Sequence, residues 1–198
     1  MTGEIVTRII KALERYYEAA PAFSGEDIGA FLRTHDDHQG REVLLVREED
    51  DELELLLVLP KKLAQGNWQT LSLDERCQVV EGASHFLMVC ERARRERSTT
   101  QLELELQAEV DKWLILSNGG RLDPETDVRL RGALYEEGEF VHDEATPVGE
   151  RYRLANSLAA RFVHRLSTSY ARQGRFSEMR EELLRFFHMG QEEKLRFV

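Results

Sequence analysis

The segment TTQLELELQAEVDKW, residues 99–113, limits the possible folds more than any other part of the chain. Leucine and glutamate alternate over its first half, and this period of two is typical of a strand with one wet face. The residue types favour a helix, because Leu, Glu, Gln and Ala are helix formers and β-branched residues are almost absent. We therefore prefer a helix over about 100–116, capped by Thr99 or Thr100, and a strand is the alternative.

On a helix, this segment carries apolar residues on two nearly opposite sides. One side has Leu102, Leu106, Val110 and Trp113, and the other has Leu104, Ala108 and Ile115. A helix that is apolar on both sides packs against neighbours on both, so we expect a central position and a buried Trp113. Glu105 and Glu109 lie between the two apolar sides and are candidates for an interior carboxylate site.

The segment REVLLVREEDDELELLLVLP, residues 41–60, predicts a β-hairpin. Two β-compatible runs, 42–47 and 53–59, flank the acidic residues 48–52, where we place the turn. Asp50 and Asp51 are then expected in solvent, because water screens adjacent like charges. The apolar residues of the hairpin point to both faces, so helices must cover at least one face.

Apolar residues spaced three or four apart predict helices along most of the remaining chain. The predicted helices span about 3–19, 26–35, 73–96 and 124–137, with an αα-hairpin over 148–189. Ser72 and Glu75 form a capping-box sequence at the start of the third helix. Cys77 and Cys90 lie about 20 Å apart on that helix and are expected to be buried thiols. The predicted fold class is α+β, mostly α: a helical bundle with a β-hairpin or small antiparallel sheet and a C-terminal αα-hairpin.

The charges are distributed unevenly along what we predict to be a single domain, residues 1–198. Residues 1–146 carry a net charge of −14 and form an acidic α/β-hairpin body, whereas residues 147–198 carry +4 and form a basic helical hairpin. On a helix that begins near Pro147, Arg161, Arg165 and Arg172 fall within a sector of about 40°. Arginine binds carboxylates and phosphates through paired hydrogen bonds. We expect a protein carboxylate surface opposite these arginines, in the same chain, a sister subunit or another molecule.

The segment THDDHQG, residues 34–40, contains the best local candidates for metal ligands. His35, Asp36 and His38 offer the imidazole and carboxylate groups that suit a divalent transition metal. The segment lies in a connection that ends at a glycine, where His and Asp are also ordinary turn residues. We therefore keep these residues as weak candidates and assign no metal.

Paired side chains on two predicted helices are a second set of weak candidates. Glu81 and His85 share one helix face, as do Glu105 and Glu109, and two such faces are able to form a carboxylate-rich metal site in a bundle. We prefer a simpler explanation of the first pair, a solvated histidine paired with Glu81. Ion pairs with nearby basic residues explain the second pair.

Composition and the absence of several sequence motifs argue against some classes of function. The chain has no glycine-rich phosphate loop, GxGxxG, GxSxG or HExxH motif, and its net charge of −10 argues against general nucleic-acid binding. No apolar run approaches the roughly 20 residues of a membrane span, and the N-terminus lacks the pattern of a signal peptide.

These features predict a non-catalytic, cytoplasmic protein-interaction or regulatory protein that acts with a protein partner or as a homo-oligomer. We assign it no catalytic residue and no cofactor. One alternative is a metal-dependent hydrolase that uses His35, His38 and bundle carboxylates. The other is a binder of polyanions or nucleic acid through the C-terminal arginines.

Overall fold

The structure is a computed structural model that describes residues 3–22, 28–37, 40–49, 52–138 and 141–198. The chain forms two compact units, Met1–Ser98 and Thr99–Val198. The described residues contain eight α-helices and one three-stranded sheet. This architecture confirms the predicted α+β, mostly α, fold class and the C-terminal helix pair. The assignment of the whole chain to a single domain stays a prediction.

The N-terminal unit combines the sheet with three helices. Its elements are α1 (Glu4–Tyr17), β1 (Leu32–His35), β2 (Val43–Glu49), β3 (Glu52–Pro60), α2 (Lys61–Gln65) and α3 (Leu73–Arg94). The capping box that begins α3 is present, because Ser72 accepts a hydrogen bond from the amide of Glu75 and the Glu75 carboxylate accepts one from the amide of Ser72. Cys77 and Cys90 both lie on α3 as buried free thiols.

The sheet has the order β1-β3-β2, with β1 parallel and β2 antiparallel to β3. The antiparallel pair is the predicted hairpin. Leu57 and Leu59 of β3 are fully buried on one face of the sheet. A Cβ atom added to Gly82 of α3 would lie only 2.9 Å from Leu57 Cδ1, so the helix passes directly over this face. One face of the hairpin is therefore covered by a helix of its own unit.

The predicted helix over 26–35 is wrong. Residues Ile28–Ala30 form a single 3-10 turn, and Leu32–His35 form β1, whose residues pair with β3 from Leu57 onward. This strand is only four residues long, so its conformation depends on pairing with a distant segment rather than on local propensity. Ala93 is also exposed, although its spacing from Phe86 and Cys90 in the sequence predicts that it lies on the buried side of α3.

Some predictions concern residues outside the described part of the chain. They are the solvent-exposed turn at Asp50 and Asp51 and the candidate ligand His38. Two caps that the sequence predicts also lie there: Thr2 for the first helix, and Ser24 with Asp27 for the short helix over 26–35.

The C-terminal unit is built from helices. They are α4 (Gln101–Leu116), α5 (Pro124–Tyr135), α6 (Pro147–Ser169), α7 (Phe176–His188) and α8 (Gln191–Phe197). The helical interpretation of residues 100–116 is confirmed: Thr100 forms a capping box with Glu103, and Trp113 is fully buried. Within its unit α4 contacts α5, α6 and α8.

The sequence pattern overestimates the length of α6 and does not predict α8. The apolar stripe continues to Tyr170 in the sequence, but the helix ends at Ser169 and a 3-10 turn, Ala171–Gln173, follows it. Gly174 then adopts a positive φ of 71°, which favours glycine and separates α6 from α7. No helix in the described residues is both long enough and apolar enough to cross a membrane.

Candidate functional site

A pocket of about 630 Å³ lies in the N-terminal unit, where β1 and β3 end. Because these strands are parallel, His35 at the end of β1 pairs with Pro60 at the end of β3, and the connections after both strands meet at one edge. The carboxyl ends of parallel strands are common positions for ligand-binding loops. The polar side chains of the pocket include His35, Asp36, Lys61, Lys62, Asp74 and Gln78.

The imidazole of His35 is held by its own loop. Its Nδ1 accepts a hydrogen bond from the backbone amide of Asp37 at 3.2 Å, and its Nε2 lies 3.4 Å from the carbonyl oxygen of Arg41. This arrangement fits the tautomer with the proton on Nε2. Gly40 lies against the ring, since a Cβ there would be 2.3 Å from Cε1. A metal bound to either nitrogen would therefore replace a hydrogen bond that positions the ring.

Two acidic side chains of the pocket pair with the two lysines at the start of α2. Asp36 Oδ1 lies 3.6 Å from Lys61 Nζ, and both groups are exposed. Glu75 forms an ion pair with Lys62 and accepts a hydrogen bond from the amide of Ser72 at 2.8 Å. The hydrogen bond from Lys62, followed by that from Ser72, holds the pKa of Glu75 below its usual value. These pairs link the loop after β1 and the start of α3 to α2.

Asp74, another acidic residue of the pocket, contacts two polar side chains. Its Oδ1 lies 3.3 Å from the Arg41 guanidinium, and its Oδ2 accepts a hydrogen bond of 2.6 Å from Gln78 Nε2. Gln78 itself is buried, and its amide oxygen has no hydrogen-bond partner within the described chain. This face of α3 therefore presents an acceptor whose hydrogen-bonding capacity is unused.

The outer face of the hairpin, defined by Val43, Leu45, Leu56 and Val58, is a second candidate site. The register places Val43 opposite Val58 and Leu45 opposite Leu56, so the four side chains share one face. Val43 is 48% exposed and Leu45 is 52% exposed. In the described sheet β2 is an edge strand. The N-terminal unit thus presents an apolar surface beside an edge strand, and such patches often mark interaction sites.

The paired candidates on the helices are distributed between the units. Glu81 and His85 lie on α3 of the N-terminal unit, where Glu81 is buried and the predicted solvated histidine, His85, is half-buried. Glu105 and Glu109 lie on α4 of the C-terminal unit, where Glu109 accepts a hydrogen bond of 2.7 Å from Lys112. A metal role for these four residues stays a prediction, as does one for His35 and Asp36.

The most highly connected polar group of the C-terminal unit is the buried carboxylate of Asp127 on α5. Oδ1 accepts a hydrogen bond from Trp113 Nε1 at 2.9 Å, and Oδ2 accepts hydrogen bonds from Ser167 at 2.6 Å and Arg131 at 3.0 Å. Arg172 lies 3.7 Å from the same oxygen. Burial alone would raise the pKa of Asp127, but the hydrogen bonds from Ser167, Trp113 and Arg131 outweigh it and lower the pKa. The carboxylate joins α4, α5, α6 and the turn after α6.

Two of the three candidate arginines lie beside carboxylates of their own unit, and a partner-binding or anion-binding role for the three stays a prediction. Arg165 lies 3.7 Å from Glu182 on α7, whereas Arg172 lies beside Asp127 on α5. Arg161 is exposed on α6. Their predicted alignment assumed one continuous helix, but α6 ends before Arg172. Two of the arginines therefore face carboxylates of their own unit, and these are two different carboxylates.

The sequence did not single out Asp74, Gln78 or Asp127. The capping box at Ser72 places Asp74 in the first turn of α3, but only the parallel pairing of β1 with β3 brings the loop after β1 to it. The hydrogen bonds to Asp127 come from Trp113 and Ser167, which are far from it in the sequence. Comparison of the chain with protein families, curated proteins and solved structures found no match.

Proposed function

We propose that this chain is a non-catalytic, cytoplasmic protein-interaction protein that self-associates through the outer face and edge of its β-hairpin. The observation that carries the proposal is the exposure of Val43 and Leu45, each about half accessible, on an edge strand. Apolar side chains on such an edge gain free energy when a partner removes them from water. The proposed role follows from the surface chemistry of the hairpin.

Strand addition is the binding mode that suits this edge. Edge strands expose backbone donors and acceptors, and natural proteins often protect them with lysine, proline or a bulge. The first four residues of β2, VLLV, contain no charged residue and no proline, and the charges of the strand lie only at its end. An added strand would satisfy the backbone groups, and its side chains would extend the apolar face.

The charged residues at the two ends of β2 favour a second copy of the chain as the partner. Arg41 lies two residues before β2, and Glu48 and Glu49 end the strand. If two copies of β2 pair antiparallel, the arginine of each copy lies near the acidic end of the other. Glu48 and Glu49 of the two copies then lie at opposite ends of the joint sheet, where they do not repel each other. A two-fold dimer is also the commonest symmetric assembly.

Sedimentation equilibrium over a series of protein concentrations tests this proposal. The wild type is expected to form dimers, and Leu45→Lys is expected to be monomeric at the same concentrations, because a charged side chain would be desolvated in the interface. Val128→Lys is the matched control, since Val128 is 51% exposed on α5 of the other unit. The control is expected to dimerise like the wild type. A wild type that is monomeric at every concentration, or equal effects of the two substitutions, would reject the proposal.

A further inference from the structure

The segment RRERSTT, residues 94–100, is a basic stretch in a chain whose net charge is −10, and it ends in three hydroxyl side chains. Ser98 and Thr100 are exposed, whereas the Oγ1 atom of Thr99 is buried. Residues 97–100 form neither helix nor strand. Exposed irregular segments of this kind are accessible to the active sites of other proteins. Ser98 and Thr100 are therefore the two hydroxyl residues of this segment that an enzyme can reach.

The arginines before Thr100 indicate which class of enzyme the segment suits. Arg97 and Arg95 precede Thr100 by three and five residues, and Arg97 is exposed. Arg95 is 45% exposed and pairs with Glu91 of α3, a contact that an acidic cleft can replace. Protein kinases select substrates partly by their charge pattern, because carboxylates of the kinase bind basic side chains near the hydroxyl. The pattern favours an arginine-directed serine/threonine kinase.

Thr100 differs from Ser98 because its hydroxyl joins two helices of the C-terminal unit. Its Oγ1 accepts a hydrogen bond from the amide of Glu103, which caps α4, and donates one of 2.6 Å to Gln191 Oε1 at the start of α8. The contact with Gln191 is exposed. A phosphate on this oxygen removes the donor but supplies acceptors for the amide of Glu103. Phosphorylation would therefore break the bond to α8 and preserve the cap of α4.

The carboxylates at the starts of α4 and α8 oppose a phosphate on Thr100. Glu103 accepts a hydrogen bond of 2.9 Å from the amide of Thr100, and Glu193 accepts one of 2.9 Å from the amide of Gly190. Each carboxylate outweighs the positive charge of a helix start, which is roughly half an elementary charge. A phosphate adds a charge of about −1.5 to −2 at pH 7. Repulsion between these charges pushes the start of α8 away from Thr100.

The short helix α8 is an element that such a charge can loosen. It has seven residues, too few for a helix to be stable without packing. Besides the contact with Thr100, Lys194 is fully buried and donates a hydrogen bond of 2.7 Å to Gln107 of α4. Phe197 packs edge-on against Phe162 of α6, with 5.8 Å between the ring centroids. Opening of α8 would expose the surface that Lys194 and Phe197 cover.

We propose that Thr100 is a phosphorylation site for an arginine-directed serine/threonine protein kinase, and that its phosphate loosens α8. Thr100 Oγ1 attacks the γ-phosphorus of ATP, an O–P bond forms, and the bond from that phosphorus to the bridging oxygen of the β-phosphate breaks. ADP leaves, and the hydroxyl proton passes to the catalytic aspartate of the kinase. The reaction does not require self-association, so Leu45→Lys is expected to be phosphorylated like the wild type.

Phosphorylation of the full chain with ATP and Mg²⁺ tests the site. The kinase used is an arginine-directed one that phosphorylates Thr100 in the synthetic peptide RERSTTQLE, residues 95–103. Tandem mass spectrometry is expected to locate the phosphate of the full chain on Thr100, and Arg97→Ala is expected to slow the reaction at least tenfold. Arg129→Ala, which removes an exposed arginine of α5, is the matched control and is expected to react like the wild type. A full chain without phosphate on Thr100, or equal rates for the two variants, would overturn the proposal.

Hydrogen–deuterium exchange followed by mass spectrometry tests the effect on α8. Phosphorylation is expected to speed exchange of the α8 amides at least tenfold and to leave exchange in α6 unchanged. Ser98→Ala removes the neighbouring exposed hydroxyl and is expected to show the same phosphorylation and the same change in exchange. Thr100→Val has no hydroxyl, so kinase treatment is expected to leave its α8 exchange unchanged. Phosphate on Ser98 in place of Thr100, or α8 exchange that is the same with and without phosphate, would contradict the inference.

Discussion

Two buried polar groups, one in each unit, differ in their number of hydrogen-bond partners. In the C-terminal unit, Asp127 accepts hydrogen bonds from Trp113, Ser167 and Arg131. In the N-terminal unit, Gln78 is buried to a similar degree, yet its carbonyl oxygen has no partner within the described chain. A buried group with several partners stabilises one conformation, whereas a buried acceptor without a partner is unfavourable. The comparison identifies Asp127 as the stabilising group of the two.

Apolar groups show the same contrast. The large exposed apolar residues in the described part of the C-terminal unit lie on separate segments: Val128 on α5, Val141 before α6, Leu154 on α6 and Leu195 on α8. Isolated residues of this kind are normal on protein surfaces. In the N-terminal unit, Val43 and Leu45 are exposed side by side with Leu56 and Val58 on one sheet face. Adjacent exposed apolar residues on an edge strand are a liability unless a partner covers them. The apolar candidate binding surface therefore belongs to the N-terminal unit.

The largest effect is expected from Asp127→Ala, which tests the stabilising role given to this carboxylate. The substitution leaves Arg131 and the Trp113 N–H without their acceptor, and breaking such a buried pair typically costs about 3–5 kcal/mol of unfolding free energy. Urea denaturation followed by circular dichroism measures the loss. Glu125→Ala, which removes an exposed carboxylate from the same helix, is the control and is expected to change stability by less than about 0.5 kcal/mol. Equal stability of the two variants would show that the Asp127 contacts are not stabilising.

A second test concerns the core of the C-terminal unit. Leu106→Ala on α4 is expected to cost about 2–5 kcal/mol of unfolding free energy, because Leu106 is 1% exposed and the substitution leaves a cavity. Gln101→Ala, on the exposed start of the same helix, is the control and is expected to remain close to the wild type. Urea denaturation compares the two variants. A Leu106→Ala protein as stable as the control would mean that α4 lies outside the core.

Elements that are stabilised by local interactions are predicted correctly from the sequence. Elements whose conformation depends on distant residues are not. For α4, the helix-forming residue types predict the observed helix correctly, although the alternating pattern favours a strand. Thr100 is a helix cap that can be recognised in the sequence. The strand β1 was predicted as helix because its parallel pairing with β3 cannot be read from the segment 32–35. The network around Asp127 depends on Trp113 and Ser167, which are far from it in the sequence. The sequence also does not predict that Gln78 Oε1 lacks a hydrogen-bond partner. That follows from the structure, in which Gln78 Nε2 donates to Asp74.

Acid titration tests the Asp127 network by a second route. The pKa of Asp127 is lower in the folded protein than its ordinary value of 3.8. Its contribution to stability is therefore fully present above that value and is lost as the pH falls through the folded pKa. We expect the free energy of unfolding to decrease as the pH falls below about 4, with a shallower decrease for Asp127→Asn. Urea denaturation at a series of acidic pH values measures both curves, and identical slopes would contradict the role of Asp127.

The smallest effect is expected on the outer face of the hairpin. Leu45→Thr is expected to change the stability of the monomer by no more than about 0.5 kcal/mol, because Leu45 is 52% exposed and threonine suits a strand. Leu57→Ala, on the buried face of the same sheet, is the matched comparison and is expected to cost about 2–5 kcal/mol. Both variants are measured by urea denaturation at high dilution, because dimer formation would add stability to the wild type. A loss for Leu45→Thr as large as that for Leu57→Ala would show that the outer face is already covered within the monomer. The exposed apolar surface would then no longer distinguish the N-terminal unit as the one that binds a partner.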